Sequence, residues 1–241
     1  MSTAVRVLRG AAPVLAPLVA HALPAVTARG PVRRLRPRLI GRGRPGGVAL
    51  TFDDGPDEAG TPEVLRVLDH LGWTATFFLL GSQVRRHPEV ARAVVAAGHE
   101  VGVHGDIHRN HLVRTPGAVR EDLERACAQI TAVTGTRPRW FRPPYGVLSA
   151  GTLWAAASLE LEPVLWTAWG CDWRGGPPER VLAHITRSLR DGGTVLLHDS
   201  DCTSRPGSWR STVAALPMLA DELARRGLDV RPLRDHLPAR T

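Results

Sequence analysis

The chain of 241 residues contains no lysine; all 31 basic residues are arginine. That absence excludes a Schiff-base lysine, a P-loop lysine and the lysine of a kinase-type nucleotide site before any motif is sought. Cysteine is scarce and odd in number (127, 171 and 202), so it does not fix the redox compartment. A chain of this length buries about 70–75% of its extended surface and needs no disulfide framework. Acidic residues are missing from residues 1–47, which carry nine arginines (6, 9, 29, 33, 34, 36, 38, 42 and 44), hence +9. The rest holds 22 arginines against 23 acids, so the net charge of +8 belongs to an arm. No aromatic residue interleaves that arm, as stacking on bases would require. Such a segment suits contact with nucleic acid, an anionic lipid or an anionic wall polymer, or is an unstructured leader of biased composition. For the body, no nucleic acid is expected.

Long hydrophobic runs are also missing. Arg6 and Arg9 precede the apolar run Ala11–Ala20, and Val26-Thr27-Ala28 suits a signal-peptidase site. Pro13, Pro17 and Pro24 interrupt the run, and the arginines after it oppose export, so envelope, secreted and cytoplasmic locations all stay open. The run is too short to span a membrane.

What remains is an α/β body. Short apolar segments at 48–52, 74–80, 100–103, 140–142, 163–168, 194–197 and 228–230 read as buried parallel strands. Helical patterns lie between them: one opening at Thr61-Pro62-Glu63, one over 83–97 capped by Ser82, then 115–133, 149–161, 178–189 and 211–226. The alternation predicts a distorted (β/α) barrel of about seven parallel strands, a single domain over 47–241 behind an arm of 1–46. No internal repeat is visible.

Ionisable residues gather where the strands end. Asp53-Asp54 follows the first strand and His104 the third. Arg142-Pro143-Pro144-Tyr145-Gly146 follows the fourth, Asp172-Trp173 the fifth and His198-Asp199 the sixth. The carboxyl ends of barrel strands are where active sites form. Asp53-Asp54-Gly55-Pro56 read alone is an ordinary Asx turn, but adjacent buried carboxylates repel unless a cation joins them. His104 and His108, four apart, share one face on a helical turn and, with Asp54, give two nitrogens and one oxygen, a set for divalent zinc or a related transition metal. His108 with His111 is a rival pair, Asp106 and Asp201 are rival oxygen ligands, and His198 read alone is a core histidine. Cys171 and Cys202 fall on one rim, where a disulfide is open.

Taken together, Thr51-Phe52-Asp53-Asp54-Gly55-Pro56, His104-x-x-x-His108, Arg142-Pro143-Pro144-Tyr145, Asp172-Trp173 and Leu196-Leu197-His198-Asp199 resemble, in order, the signatures of the polysaccharide deacetylases. These are the NodB-homology group, carbohydrate esterase family 4, and the resemblance spans about residues 46–235. It implies that Asp53 is the general base and that Asp54, His104 and His108 hold one zinc-like ion. It further implies that Arg142 orients Asp53, that the backbone N–H of Tyr145, beside Pro144, binds the oxyanion, and that Asp172 tunes His198 as general acid. Trp173 and Leu196 would shape the groove. Gly105, Arg109 and Trp169 depart from the family pattern, standing where a hydroxyl residue, a proline and an aspartate are usual. The expected activity is hydrolysis of N-acetyl groups on a glycan such as peptidoglycan or a chitin-like polymer. O-acetyl esters of xylan or a small molecule, and a glycan-binding barrel without turnover, are the alternatives.

Overall fold

A computed structural model describes residues 19–26 and 35–237. The expected signal-like segment lies largely outside these, as do most arginines of the arm. Among the described residues, no helix is long and apolar enough to cross a membrane.

Eight strands form one parallel sheet: β1 (Gly47–Asp53), β2 (Thr76–Leu79), β3 (Glu100–Val103), β4 (Trp140–Phe141), β5 (Glu162–Pro163), β6 (Ala168–Trp169), β7 (Thr194–His198) and β8 (Asp229–Arg231). Their order is β5-β4-β3-β2-β1-β7-β6, with β8 beside the start of β1. Every residue of β1 is buried, as a strand covered on both faces must be. It lies opposite β7 from Ala49 to Asp53 and opposite β2 from Thr51 to Asp53, so its carboxyl end is the centre of the sheet. The seven-strand order is that of a curled, open barrel, as the alternation of elements predicts.

The expected strand over 163–168 is instead two short strands at opposite ends of the sheet, β5 on β4 and β6 on β7. Between them the chain crosses the opening, and its carbonyls need donors other than a neighbouring strand. Arg142, fully buried, supplies them: Nε donates to Val164 O (3.3 Å) and Nη2 to Leu165 O (2.9 Å). The Leu165 N–H donates to Leu39 O at 2.7 Å.

The helices cover the outside: α1 (Gly60–His70), α2 (Gly81–Arg86), α3 (Pro88–Ala96), α4 (Pro116–Thr134), α5 (Ala150–Ser158), α6 (Pro178–Ser188), α7 (Trp209–Arg226) and the short α8 (Leu233–His236). The single helix expected over 83–97 is broken, because Pro88 has no N–H to give and forces His87 out of the helical region. Thr61 does not cap α1. It lies inside the helix, its hydroxyl donating to Asp199 Oδ2 at 2.5 Å. Ser82, expected as a cap, lies inside α2, whose N-cap is Leu80. Thr115, with Gly135 at φ +70° at the other end, caps α4, and a Ser149/Thr152 capping box opens α5. Residues 35–46 are joined to the body: Arg38 pairs with Glu162, Thr194 Oγ1 donates to Gly41 O at 2.6 Å, and the Gly43 N–H to Gly192 O at 2.9 Å.

Candidate active site

The carboxyl ends of β1, β3, β4, β6 and β7 open on one cavity of about 500 Å³. Asp53, the last residue of β1, is buried, and its Oδ1 accepts from Arg142 Nη1 at 2.8 Å. The same Nη1 donates to Thr51 Oγ1 at 2.8 Å. One guanidinium thus holds the end of β1, a threonine within it and the segment that crosses the barrel opening. Asp54 follows with φ +79°, a left-handed conformation that costs a non-glycine residue about 1 kcal/mol or more. The turn turns its carboxylate toward two histidines, and Thr203 donates to Oδ2 from the loop after β7.

His104 and His108 meet Asp54 from one side. His104 Nε2 lies 3.3 Å and His108 Nε2 3.6 Å from Asp54 Oδ1. The expectation that a helical turn brings the two imidazoles together is not met: residues 104–110 are a loop, bent at Gly105 (φ +104°). A Cβ at Gly105 would come within 3.0 Å of Asp122 Oδ2, so side chain and conformation both favour glycine there. His104 Nδ1 sits 2.8 Å from the carbonyl of Arg142, which fixes that nitrogen as the donor and leaves Nε2 as a lone pair.

The rival ligands are elsewhere. His111 is fully buried, its ring stacked on Phe141 at 5.9 Å, and burial pushes its pKa down to about 3; it is a core histidine. Asp106 is held by Arg85 at 2.6 Å, and Asp201 accepts from the Gly207 N–H. Cys171, Cys202 and Cys127 are free thiols, so the open disulfide does not form.

Whether these residues suit a metal is answered by Asp54. Its Oδ1 is buried and has no hydrogen-bond partner, an arrangement that costs about 1–3 kcal/mol or more unless something fills it. Ligand atoms of Asp54, His104 and His108 all lie within 4.8 Å of one another. Burial opposes the Asp54 charge, but His104, His198 and His108 together hold its pKa well below the usual carboxylate range. Burial and the neighbouring His104 push His108 down to about 4, so it is neutral and able to coordinate. His104 is also buried, yet Asp53 and Asp54 outweigh that and raise its pKa; a bound cation would take the place of that proton. The set fits one divalent ion.

Across the cavity, His198 ends β7. Its Nδ1 lies 2.9 Å from Asp172 Oδ1, and its backbone N–H donates to Asp172 Oδ2 at 2.6 Å. Thr212 Oγ1 donates to the same oxygen at 2.7 Å. Burial disfavours the imidazolium, but Asp172, with Asp54 and Asp53 behind it, pushes the His198 pKa up to about 10. Asp199 faces the other way, against Thr61 and Gly55, and burial raises its carboxyl to about 7.

The walls are aromatic. Tyr145 (φ +59°) stands edge-on to His108 with ring centroids 4.4 Å apart. Trp173 and Leu196 line the cavity with Trp166 and Trp169, the last two ring pairs being Trp166–Trp169 at 5.8 Å and Trp169–Trp173 at 6.5 Å. Pro144 is buried behind this wall and does not reach the cavity. Sequence reading missed Trp166, Thr203 and Ser204 as lining residues. Three tryptophans within eight residues were a usable signal for the first; nothing in the spacing points to the other two.

An open parallel barrel with this constellation at its strand ends defines the class, and the chain belongs to the polysaccharide deacetylase family, whose description it matches over residues 41–164. It is 36% identical to a chitooligosaccharide deacetylase of Bradyrhizobium sp. (strain ANU 289) over 197 residues, which is 77% of this chain and 88% of that one. It is 35% identical to a peptidoglycan-N-acetylglucosamine deacetylase of Bacillus cereus over 187 residues, 75% of this chain and 83% of that one. A crystal structure of a carbohydrate esterase family 4 pseudoenzyme from Bacillus anthracis superposes with a TM-score of 0.74 at 27% identity, covering 81% of this chain and 66% of that one.

Proposed function

We propose that the chain hydrolyses N-acetyl groups of an N-acetylhexosamine polymer, peptidoglycan or chitin-like, with one divalent metal ion, zinc by its donor set, held by Asp54, His104 and His108. The observation that carries this reading is the orphaned, buried Asp54 Oδ1 facing two imidazole nitrogens, with a carboxylate on one side and a carboxylate-paired histidine on the other. A bound divalent ion supplies Lewis acidity to the acetamide carbonyl and lowers the pKa of water toward about 7.

Arg142 holds Asp53 Oδ1, so Oδ2 is the oxygen left to accept the proton of the attacking water. The hydroxyl adds to the carbonyl carbon, and we assign the backbone N–H of Tyr145, which lines the cavity, to the oxygen that takes up negative charge. His198 Nδ1 donates to Asp172, so Nε2 delivers the proton to the departing amine as the C–N bond breaks and acetate leaves. With its pKa near 10, His198 keeps that proton at neutral pH. Trp173 and Leu196 offer apolar faces to sugar rings.

The structural relative without turnover keeps a glycan-binding barrel in view as the second reading. Acetate release from N-acetylglucosamine oligomers and peptidoglycan fragments, with and without chelator, separates the two. Asp53→Asn is expected to keep the metal and lose about 10²–10⁴-fold in turnover, whereas His104→Ala loses the metal as well. Acetate release that is unaffected by chelator overturns the metal assignment.

A further inference from the structure

Next to the main cavity lies a second cleft of about 490 Å³, lined by His108, Arg109, Asn110, Val113, Arg114 and Tyr145. His108 and Tyr145 border both spaces, so the two share one wall. Among the described residues, no carboxylate lines the cleft. Arg114 is committed: Nη1 donates to Asp122 Oδ1 at 2.9 Å and Nη2 to Ala118 O at 3.1 Å. Asn110 uses its side-chain oxygen to accept from the Leu112 N–H at 3.0 Å, which leaves its amide nitrogen as a donor. Arg109 is exposed, and among the described residues its guanidinium has no carboxylate or other hydrogen-bond partner. Its backbone N–H is fixed on Ile107 O at 2.9 Å. The Asn110 amide nitrogen and the Arg109 guanidinium are therefore left as donors in this cleft, and the second carries a full positive charge.

An uncommitted guanidinium one residue from a proposed metal ligand is a recognition element with a defined preference. Its planar fork matches a carboxylate in two parallel hydrogen bonds. His108 and Tyr145 line both spaces, so a glycan ring whose acetamide lies against Asp54 and His108 has this cleft as its neighbour.

We propose that the cleft is a specificity subsite for a carboxylate on the glycan, and that Arg109 pairs with it. This rests on the deacetylase reading above. The carboxylate belongs either to an acidic ether on the same ring as the acetamido group or to a uronic acid on the adjoining ring, and the chemistry recognised is the same.

Three tetramers distinguish these sources: N-acetylglucosamine alone, the same oligomer carrying 3-O-lactyl ethers, and one alternating N-acetylglucosamine with glucuronic acid. Acetate release and calorimetric binding are measured on each for the wild-type chain, Arg109→Gln and Arg109→Lys. The wild type is expected to favour one acidic oligomer over the neutral one. Arg109→Gln should lose about 10–100-fold in kcat/KM on that oligomer, through KM, and leave the neutral one unchanged. Arg109→Lys should fall between, and the preference should shrink as salt is raised. Equal effects of Arg109→Gln on all three oligomers, or a wild-type preference for the neutral one, would overturn the subsite. If no oligomer releases acetate, the deacetylase reading fails instead, and calorimetry still decides: carboxylate-selective binding that Arg109→Gln abolishes upholds the subsite, and indifferent binding overturns it.

Discussion

Single side chains carry two distinct loads in this molecule. Arg142 satisfies Asp53, Thr51 and the carbonyls of Val164 and Leu165 with one planar group. A lysine ammonium is a point charge on a flexible stem and cannot reach four acceptors spread around a plane. Arg142→Lys is therefore expected to lose about 3 kcal/mol of stability along with activity, read by urea unfolding; an unchanged midpoint would mean that the guanidinium does not bind the barrel opening together. Asp172 serves His198 and also accepts from a backbone N–H and from Thr212. Asp172→Asn should move the basic limb of the pH–rate profile to lower pH while metal content stays constant. It should also lower the melting temperature. The sign of the stability effect follows from the raised His198 pKa. The pair's contribution is complete below the ordinary histidine value of 6.5 and is lost as pH rises through about 10. The wild type should therefore lose stability across that alkaline window relative to Asp172→Asn, and parallel pH-melting curves would refute the pairing.

At the scale of elements, helix starts were legible only in part: Thr61 and Ser82, expected to open their helices, lie inside them, because the chain before each is already turned by its packing. Ser149 and Thr152 exchange hydrogen bonds at the start of α5. Ser149→Ala should cost about 1 kcal/mol, measured as a shift of the denaturation midpoint. Pro88 breaks what the apolar period alone reads as one helix, and the sequence held that signal too. The loop after β1 is set by packing instead. A Cβ on Gly55 would stand 2.3 Å from Asp199 Oδ2, so Gly55→Ala must displace either the turn that aims Asp54 or the Asp199–Thr61 contact. The expected outcome is a lower melting temperature together with weaker retention of added divalent metal by metal analysis. Loss of stability at full metal content would separate the turn from the metal group.

For the whole molecule, the sheet is closed at its amino end by distant parts of the chain. Residues 35–46 bond to β7 and its approach, and β8 lies on the start of β1. The Arg44 N–H donates to His236 O at 3.0 Å, and the Leu233 N–H to Thr76 Oγ1 at 2.9 Å. A chain beginning at residue 47 should therefore melt well below one beginning at residue 35, compared by thermal unfolding. Equal melting temperatures would mean that this segment only lies on the surface. Sequence alone determined the class of fold, because burial of parallel strands and amphipathic helices writes itself into a local apolar pattern. It also determined the order of Asp53, Asp54, His104, Arg142, Asp172 and His198 at strand ends. Tertiary structure decided which histidine turns to Asp54 and which to the core, since spacings of four and three both suit a shared face and only the surroundings separate His108 from His111. It alone decided that one apolar run would split across the barrel opening with Arg142 between the halves. Those outcomes depend on what each group meets across the sheet, many residues away, and short-range pattern holds no record of it.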